Sequence, residues 1–265
     1  MTPPATDGLR SALDGGVLRL TLARPARRNA LTPELSRAIA DAVEAAEETD
    51  TRAIVLTGEG GHFCAGLDLH WLGSLGGAPD QATLQRGLHD FQAAVLAIVR
   101  SPLPVVAIVQ GTAAGFGFDL ALACDFRVAG SSAKFTSAFA RMGLVPDGGS
   151  TLTLPNAVGT GRALRLLLAD ETVDAERASA MGLVDDVADD DGLDAAAERL
   201  IEGLLRSAPG SVRTIKRLCR AGELGALEQT LAAEGAAQVQ ALQSEEFRRR
   251  AAAFQARTGG GGESR

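Results

Sequence analysis

Short apolar runs separated by helix-length amphipathic stretches restrict this chain more than any other feature of it. Val17-Leu18-Arg19-Leu20-Thr21-Leu22 alternates at period two and reads as a half-buried strand. Residues 53–57 and 105–109 are continuously apolar, the pattern of strands covered on both faces, and residues 125–129 read as a further strand. Between them, Thr32-Pro33-Glu34 opens a helix with a capping side chain and a first-turn proline, running to about Glu47. A second helix is expected over residues 82–100, closed by Pro102 and Pro104, and a shorter one over residues 118–123. Strands alternating with helices predict an α/β fold with parallel pairing. From Ser207 strand signals stop, and helices are expected over residues 211–220 and 227–254. The division is therefore a core of residues 1–206, a helical region of residues 207–256 and a disordered tail of residues 257–265. No internal sequence repeat is visible.

Composition narrows the function. With 265 residues, 46% of them hydrophobic, the chain can bury a large core. No stretch is apolar enough to span a bilayer, and the polar start up to Asp14 lacks a secretory pattern, which predicts a cytoplasmic protein. A formal charge of −7 disfavours nucleic-acid and membrane partners, so an anionic ligand needs a local basic patch, which Arg24, Arg27 and Arg28 offer. The acidic stretch 185–194 reads as a solvated turn. Cys64, Cys124 and Cys219 form no disulfide or metal pattern and read as small buried hydrophobes. The three histidines lack metal-ligand spacing, and there is no Gly-x-Ser-x-Gly elbow or phosphate loop. Without tyrosine, tyrosine–lysine dehydrogenase chemistry is excluded.

Two glycine-rich segments remain, His62-Phe63-Cys64-Ala65-Gly66-Leu67-Asp68-Leu69 and Gly111-Thr112-Ala113-Ala114-Gly115-Phe116-Gly117-Phe118-Asp119-Leu120. Glycine lets backbone approach a ligand, and two N–H groups converging on one oxygen make an oxyanion hole. From glycine alone, tight turns and close packing are the simpler reading of the same segments. The order Gly111-x-x-x-Gly115-x-Gly117 is wrong for a dinucleotide fingerprint.

Taken together with Arg24-Pro25 and Asn29-Ala30-Leu31, Ala121, Cys124-Asp125, Phe135, Gly143-Leu144-Val145-Pro146, Gly159 and residues 178–184, these segments resemble the crotonase (enoyl-CoA hydratase/isomerase) superfamily along almost the whole chain. The resemblance implies a crotonase-type spiral of repeated β-β-α units with a C-terminal helical trimerisation region, assembled as a homotrimer or homohexamer. It implies an acyl-CoA thioester as substrate, with coenzyme A as part of that substrate and no metal or redox cofactor. It further implies that the N–H groups of Leu67 and Phe116 hold the thioester oxygen, the Phe116 ring narrowing the acyl pocket. Ala65, Asp68 and Leu69 would flank the adenine end. Arg28, and after it Arg24, would meet the phosphates, and Lys216 would reach a neighbouring subunit's ligand, unless it is an exposed helical charge.

For the chemistry, the two hydratase glutamates of the family fall on Asp119 and Phe139, and phenylalanine transfers no proton. Asp147, in Pro146-Asp147-Gly148-Gly149, resembles the Pro-Asp-x-Gly pattern of the epoxide and enoyl-CoA isomerases of phenylacetate degradation. Dienoyl-CoA isomerases also carry acids at the positions of Asp147 and Asp119. The expected activity is an enoyl-CoA isomerase with Asp147 as proton shuttle and Asp119, beside a helix N-terminus, held anionic. The alternatives are a 2-enoyl-CoA hydratase using Asp119 and a non-catalytic acyl-CoA-binding homologue. As a bare turn sequence, Pro-Asp-Gly would also let Asp147 cap the following helix.

Overall fold

The period-two run folds as expected and finds an unexpected partner. In the computed structural model, which describes residues 7–74 and 80–259 (side chains to residue 254), β1 (Leu9–Asp14) pairs antiparallel with β2 (Val17–Leu22). The start of the chain had been read only as polar. Its strand is exposed on most positions, so it lacks the apolar alternation that would announce it. The chain continues with β3 (Ala53–Gly58), β4 (Val105–Val109), β5 (Thr112–Ala114), β6 (Phe126–Gly130), β7 (Lys134–Thr136), β8 (Val173–Asp174) and β9 (Asp186–Ala188). One sheet has the order β1-β2-β3-β4-β6-β9, parallel from β2 onward, and a second has the order β5-β7-β8.

Helices cover both faces of the parallel sheet, which is why β3 and β4 read as unbroken apolar runs. Val17, Val55, Val106, Ile108 and Val128 pack against α9 (Leu193–Arg206). The alternate residues, among them Leu18, Leu20, Ile54 and Leu56, belong to the main core with α1 (Pro33–Ala46) and α3 (Gln81–Arg100). Thr32 caps α1 by accepting from the Leu35 amide, as its sequence predicts.

A repeat absent from the sequence is present in the structure. β4 is followed by β5 in the other sheet and then by α4 (Phe116–Ala123). β6 is followed by β7 in the other sheet and then by α5 (Phe139–Met142). After β3, a single bridge from Cys64 to Ala113 does the work of the second strand. The second-sheet strands are two or three residues long, too short for a hydrophobic period to reveal. This is the spiral of β-β-α units. The acidic stretch 185–194 is correspondingly more than a solvated turn: it contains β9, Asp185 accepts from the Arg127 amide, and Asp190 accepts from the Ser132 amide.

The C-terminal region also departs from expectation. One helix, α10 (Pro209–Leu242), replaces the two stretches foreseen there, and α11 (Glu245–Gly259) follows. Gly222 and Gly225 weaken the helix locally by about 1 kcal/mol each, but tertiary contacts on either side of them hold it. On one side, buried Lys216 pairs with Asp125 at 2.6 Å and donates to the carbonyls of Ile98 and Leu103. Arg220 joins the same carboxylate at 3.0 Å. On the other, Leu227 and Leu231 enter the core. Lys216 is thus neither an exposed charge nor open to a ligand, because its three donors are spent inside the chain. Burial holds its ammonium below the usual value, against the pull of Asp125. Cys64 and Cys124 are buried, whereas Cys219 on α10 is exposed. The expected tail is helical to Gly259, and residues 260–265 lie outside the described residues.

Replacing Lys216 by methionine keeps the stem and removes the charge, so Asp125 loses one partner and two carbonyls lose their donor. We expect a loss of about 3 kcal/mol in urea denaturation; a loss under about 1 kcal/mol would show that the ion pair contributes little.

Candidate active site

The two glycine-rich segments meet. Leu31 bridges Leu67 in parallel fashion, its N–H donating to Gly66 at 2.7 Å and its carbonyl accepting from Asp68 at 2.8 Å. In such a bridge the partner residue's own N–H faces the other way, so the Leu67 amide lies on the side remote from Leu31. Gly66 has φ +86°, and a Cβ there would stand 2.6 Å from the Ala114 carbonyl and 3.2 Å from the Phe116 nitrogen. Only glycine permits that approach. Phe116 opens α4, where the amides of Phe118 and Asp119 donate back to Gly115 and the first N–H has no acceptor within the helix. Leu67 and Phe116 both line one cavity, and the bridge and the helix leave their backbone N–H groups unused.

The cavity has a volume of about 310 Å³ and mainly apolar walls. Trp71, Phe91 and Phe116 stack edge to face along one side, at centroid distances of 6.3 and 5.2 Å. The Phe116 ring is 2% exposed and packed against Phe91, so it forms part of the wall. Phe139, Leu144 and Leu242 close other parts of the cavity.

Asp147 lies in this wall, 8% exposed, on the turn that leads into α6 (Ser150–Val158). It does not cap that helix, whose N-cap is Gly149. Its carbonyl accepts from the Gln92 side chain of α3 at 3.1 Å. Its Oδ2 accepts from the Gln238 side chain of α10 at 3.1 Å, and among the described residues no other residue donates to its buried Oδ1. Burial pushes the carboxyl up to about 7; the Gln238 bond opposes this, and the charge of Glu234 adds to it.

Asp119 stands behind that turn and does not line the cavity. Its Oδ2 accepts from the Gly148 amide at 3.0 Å. A Cβ on Gly148 would fall 2.5 Å from Asp119 Cβ and 3.0 Å from the Phe116 ring, so this glycine lets the Asp147 turn lie against α4. The expectation of an anionic Asp119 is overturned. Burial raises its carboxyl well above the usual range, and the charges of Glu234 and Asp147 raise it further. Complete desolvation outweighs a helix terminus, whose field is worth at most about 2 kcal/mol.

Sequence reasoning missed Glu234 and Gln238. Glu234 accepts from the amides of Gly149 and Thr151 and from the Thr151 hydroxyl, capping α6 from a distant part of the chain. In the sequence these are ordinary helical residues more than eighty positions from the turn that they hold. Their i, i+4 spacing puts them on one face of α10, the only signal available without coordinates.

Of the expected ligand contacts, Arg28, Ala65 and Leu69 line the cavity. Arg24 and Asp68 do not. Arg24 pairs with Asp68 at 2.8 Å and donates to the Ala30 carbonyl. Asp68, 4% exposed, also accepts from the amides of His70 and Trp71 at the start of α2 (Leu69–Ser74). The pair ties two turns together. Arg141, which had not been singled out, lines the cavity and pairs with Asp170 at 3.0 Å. Among the described residues no helix is long and apolar enough to cross a membrane, and no group of three acidic, histidine or cysteine side chains could hold a metal ion.

Residues 13–259 match the family described as Enoyl-CoA hydratase/isomerase. A 1,2-epoxyphenylacetyl-CoA isomerase of Escherichia coli K12 is 36% identical over 251 residues, 93% of this chain and 95% of that protein. The crystal structure of an enoyl-CoA hydratase from Mycobacterium avium subsp. paratuberculosis K-10 superposes with a TM-score of 0.87 at 34% identity, covering 96% of this chain and 97% of that one. An enoyl-CoA hydratase homologue from Thermobifida fusca YX, solved in complex with acetoacetyl-CoA, has a TM-score of 0.74 at 33% identity, covering 85% of this chain and 93% of that one. With its spiral of β-β-α units and these relatives, the chain belongs to the enoyl-CoA hydratase/isomerase family and is an acyl-CoA enzyme with the crotonase fold.

Proposed function

We propose that the protein is an enoyl-CoA isomerase that moves a carbon–carbon double bond relative to the thioester, with Asp147 as the sole proton carrier. The observation that carries this reading is a buried carboxyl in the cavity wall, to one of whose oxygens no other described residue donates, and whose proton affinity burial brings to about 7. In its anionic form Asp147 removes a proton from C2 of a 3-enoyl thioester. The electron pair spreads through the dienolate to the thioester oxygen, which the N–H groups of Leu67 and Phe116 hold. Asp147 then returns the proton at C4, so no water, oxidant or second acid is consumed. Hydration, in contrast, needs a pair of groups to activate water and protonate carbon, and Phe139 and the walled-off Asp119 do not supply that pair. Arg28 and the Ala65–Leu69 rim are the contacts we assign to the coenzyme A portion, Arg28 by forking onto phosphate. The expected homotrimer or homohexamer is part of the same proposal, and sedimentation at working concentration tests it.

Incubation with 3-enoyl- and 2-enoyl-CoA in deuterated water should give double-bond migration with deuterium entering beside the thioester or at C4. The Asp147→Asn variant should lose roughly 10³-fold in kcat/KM, and Asp119→Asn less than about tenfold. A larger loss at Asp119, together with 3-hydroxyacyl product, would favour the hydratase reading, and unchanged turnover in both variants would favour a binding protein.

Stability follows the same carboxyl. Its folded value lies above the unfolded one, so its contribution is fully present below about pH 4 and is lost as pH rises through about 7. Asp147→Asn should therefore gain on the wild type between pH 5 and pH 8, by on the order of 4 kcal/mol at most. Parallel stability–pH curves for the two proteins would show that the carboxyl titrates alike folded and unfolded.

A further inference from the structure

The structure assigns Gln238 a positioning role: α10 holds the Asp147 carboxyl by one oxygen and so selects Oδ1 as the atom that carries the proton. The assignment rests on the isomerase reading of Asp147. Gln238 is 1% exposed, and its two side-chain atoms are used in opposite senses. Its Nε2 donates to Asp147 Oδ2 at 3.1 Å, while its Oε1 accepts from the Val145 amide at 3.1 Å. Because the Val145 N–H can only donate, it fixes which end of the amide is oxygen, and the NH₂ must face the carboxyl. Gln238 can therefore only donate to Asp147.

That donor has a chemical consequence. It favours the carboxylate over the acid, against the burial and the Glu234 charge that favour the acid. Of the charged groups around Asp147, Glu234 disfavours its anion. Asp119 comes from α4 and Glu234 from α10, while the arginines lining the same cavity, Arg28 and Arg141, come from the loop before α1 and from α5. The Gln238 side chain is thus the largest contact favouring the anion, with the Asp147 amide a smaller one. It also occupies the oxygen that faces α10, leaving Oδ1 as the oxygen to which no other described residue donates. Gln92 fixes the same turn from α3 through the Asp147 carbonyl and the Leu231 carbonyl, but it does not touch the carboxyl. Turn position and carboxyl orientation therefore have separate supports.

The role predicts a pH signature that loss of packing alone would not give. The acid limb of kcat/KM reports the free enzyme's base. In Gln238→Leu the limb should move upward by about one pH unit, so that activity at pH 7 falls about fivefold and recovers by pH 9, with KM nearly unchanged. Gln238→Glu, close in shape but unable to donate when ionised, should move the limb at least as far. Thermal melting checks that each variant is folded, and carbon-13 titration of the Asp147 carboxyl reads the same shift without turnover. If the carboxyl and the limb titrate at the wild-type pH in folded Gln238→Leu and Gln238→Glu, the positioning role is wrong while the isomerase reading stands. If Asp147→Asn retains wild-type turnover, the reading beneath it fails, whatever the Gln238 variants do.

Discussion

Asp119, Asp147 and Glu234 converge where the turn after residue 143 is pressed between α4 and α10, and the cost of burying three acids in one place shapes everything around them. Each meets that cost differently. Glu234 is satisfied by the amides and hydroxyl at the start of α6. Asp119 receives one amide and is pushed toward its neutral form. Asp147 is left between the two, with one oxygen bonded by Gln238 and the other without a donor from any other described residue. Desolvation and like charge drive the proton affinities apart, and groups whose affinities differ can take different parts in acid–base chemistry.

The scaffold supplies the precision that such a site needs. The backbone donors come from segments locked into the second sheet and its bridges, where Gly66 lets two turns touch. The acid comes from a turn held by side chains of α3 and α10 and packed through Gly148 against α4. Donors and acid are thereby fixed to the same packed core, with little backbone freedom left between them. The C-terminal helix belongs to this machinery. Leu227 and Leu231 anchor it, Lys216 ties it to β6's approach through Asp125, and Glu234 and Gln238 do the holding.

Local pattern was enough for the elements that bury a whole face. β2, β3, β4, α1 and α3 appear where period and capping placed them, because each carries its own record of what it packs against. β1, β5 and β7 to β9 left no such record, being either exposed or too short. The family motifs located Leu67, Phe116 and Asp147 in one cavity wall. Arg24, Asp68 and Lys216, whose charges looked available, are paired internally. Charge type is written in a sequence, whereas whether a charge is already satisfied depends on partners brought in from elsewhere.

The sequence by itself determined the α/β alternation, the glycines that permit two backbone donors to approach one another, and the presence of an acid in the Pro-Asp-Gly-Gly turn. Those are local matters of period, φ and residue chemistry. Tertiary structure alone decided that Asp119 is walled off, that α10 is one helix, and that Glu234 and Gln238 hold the acid turn from more than eighty residues away. The reason is that proton affinity and orientation are set by desolvation and by the groups within a few ångströms, and proximity of that kind arises only when the chain has packed.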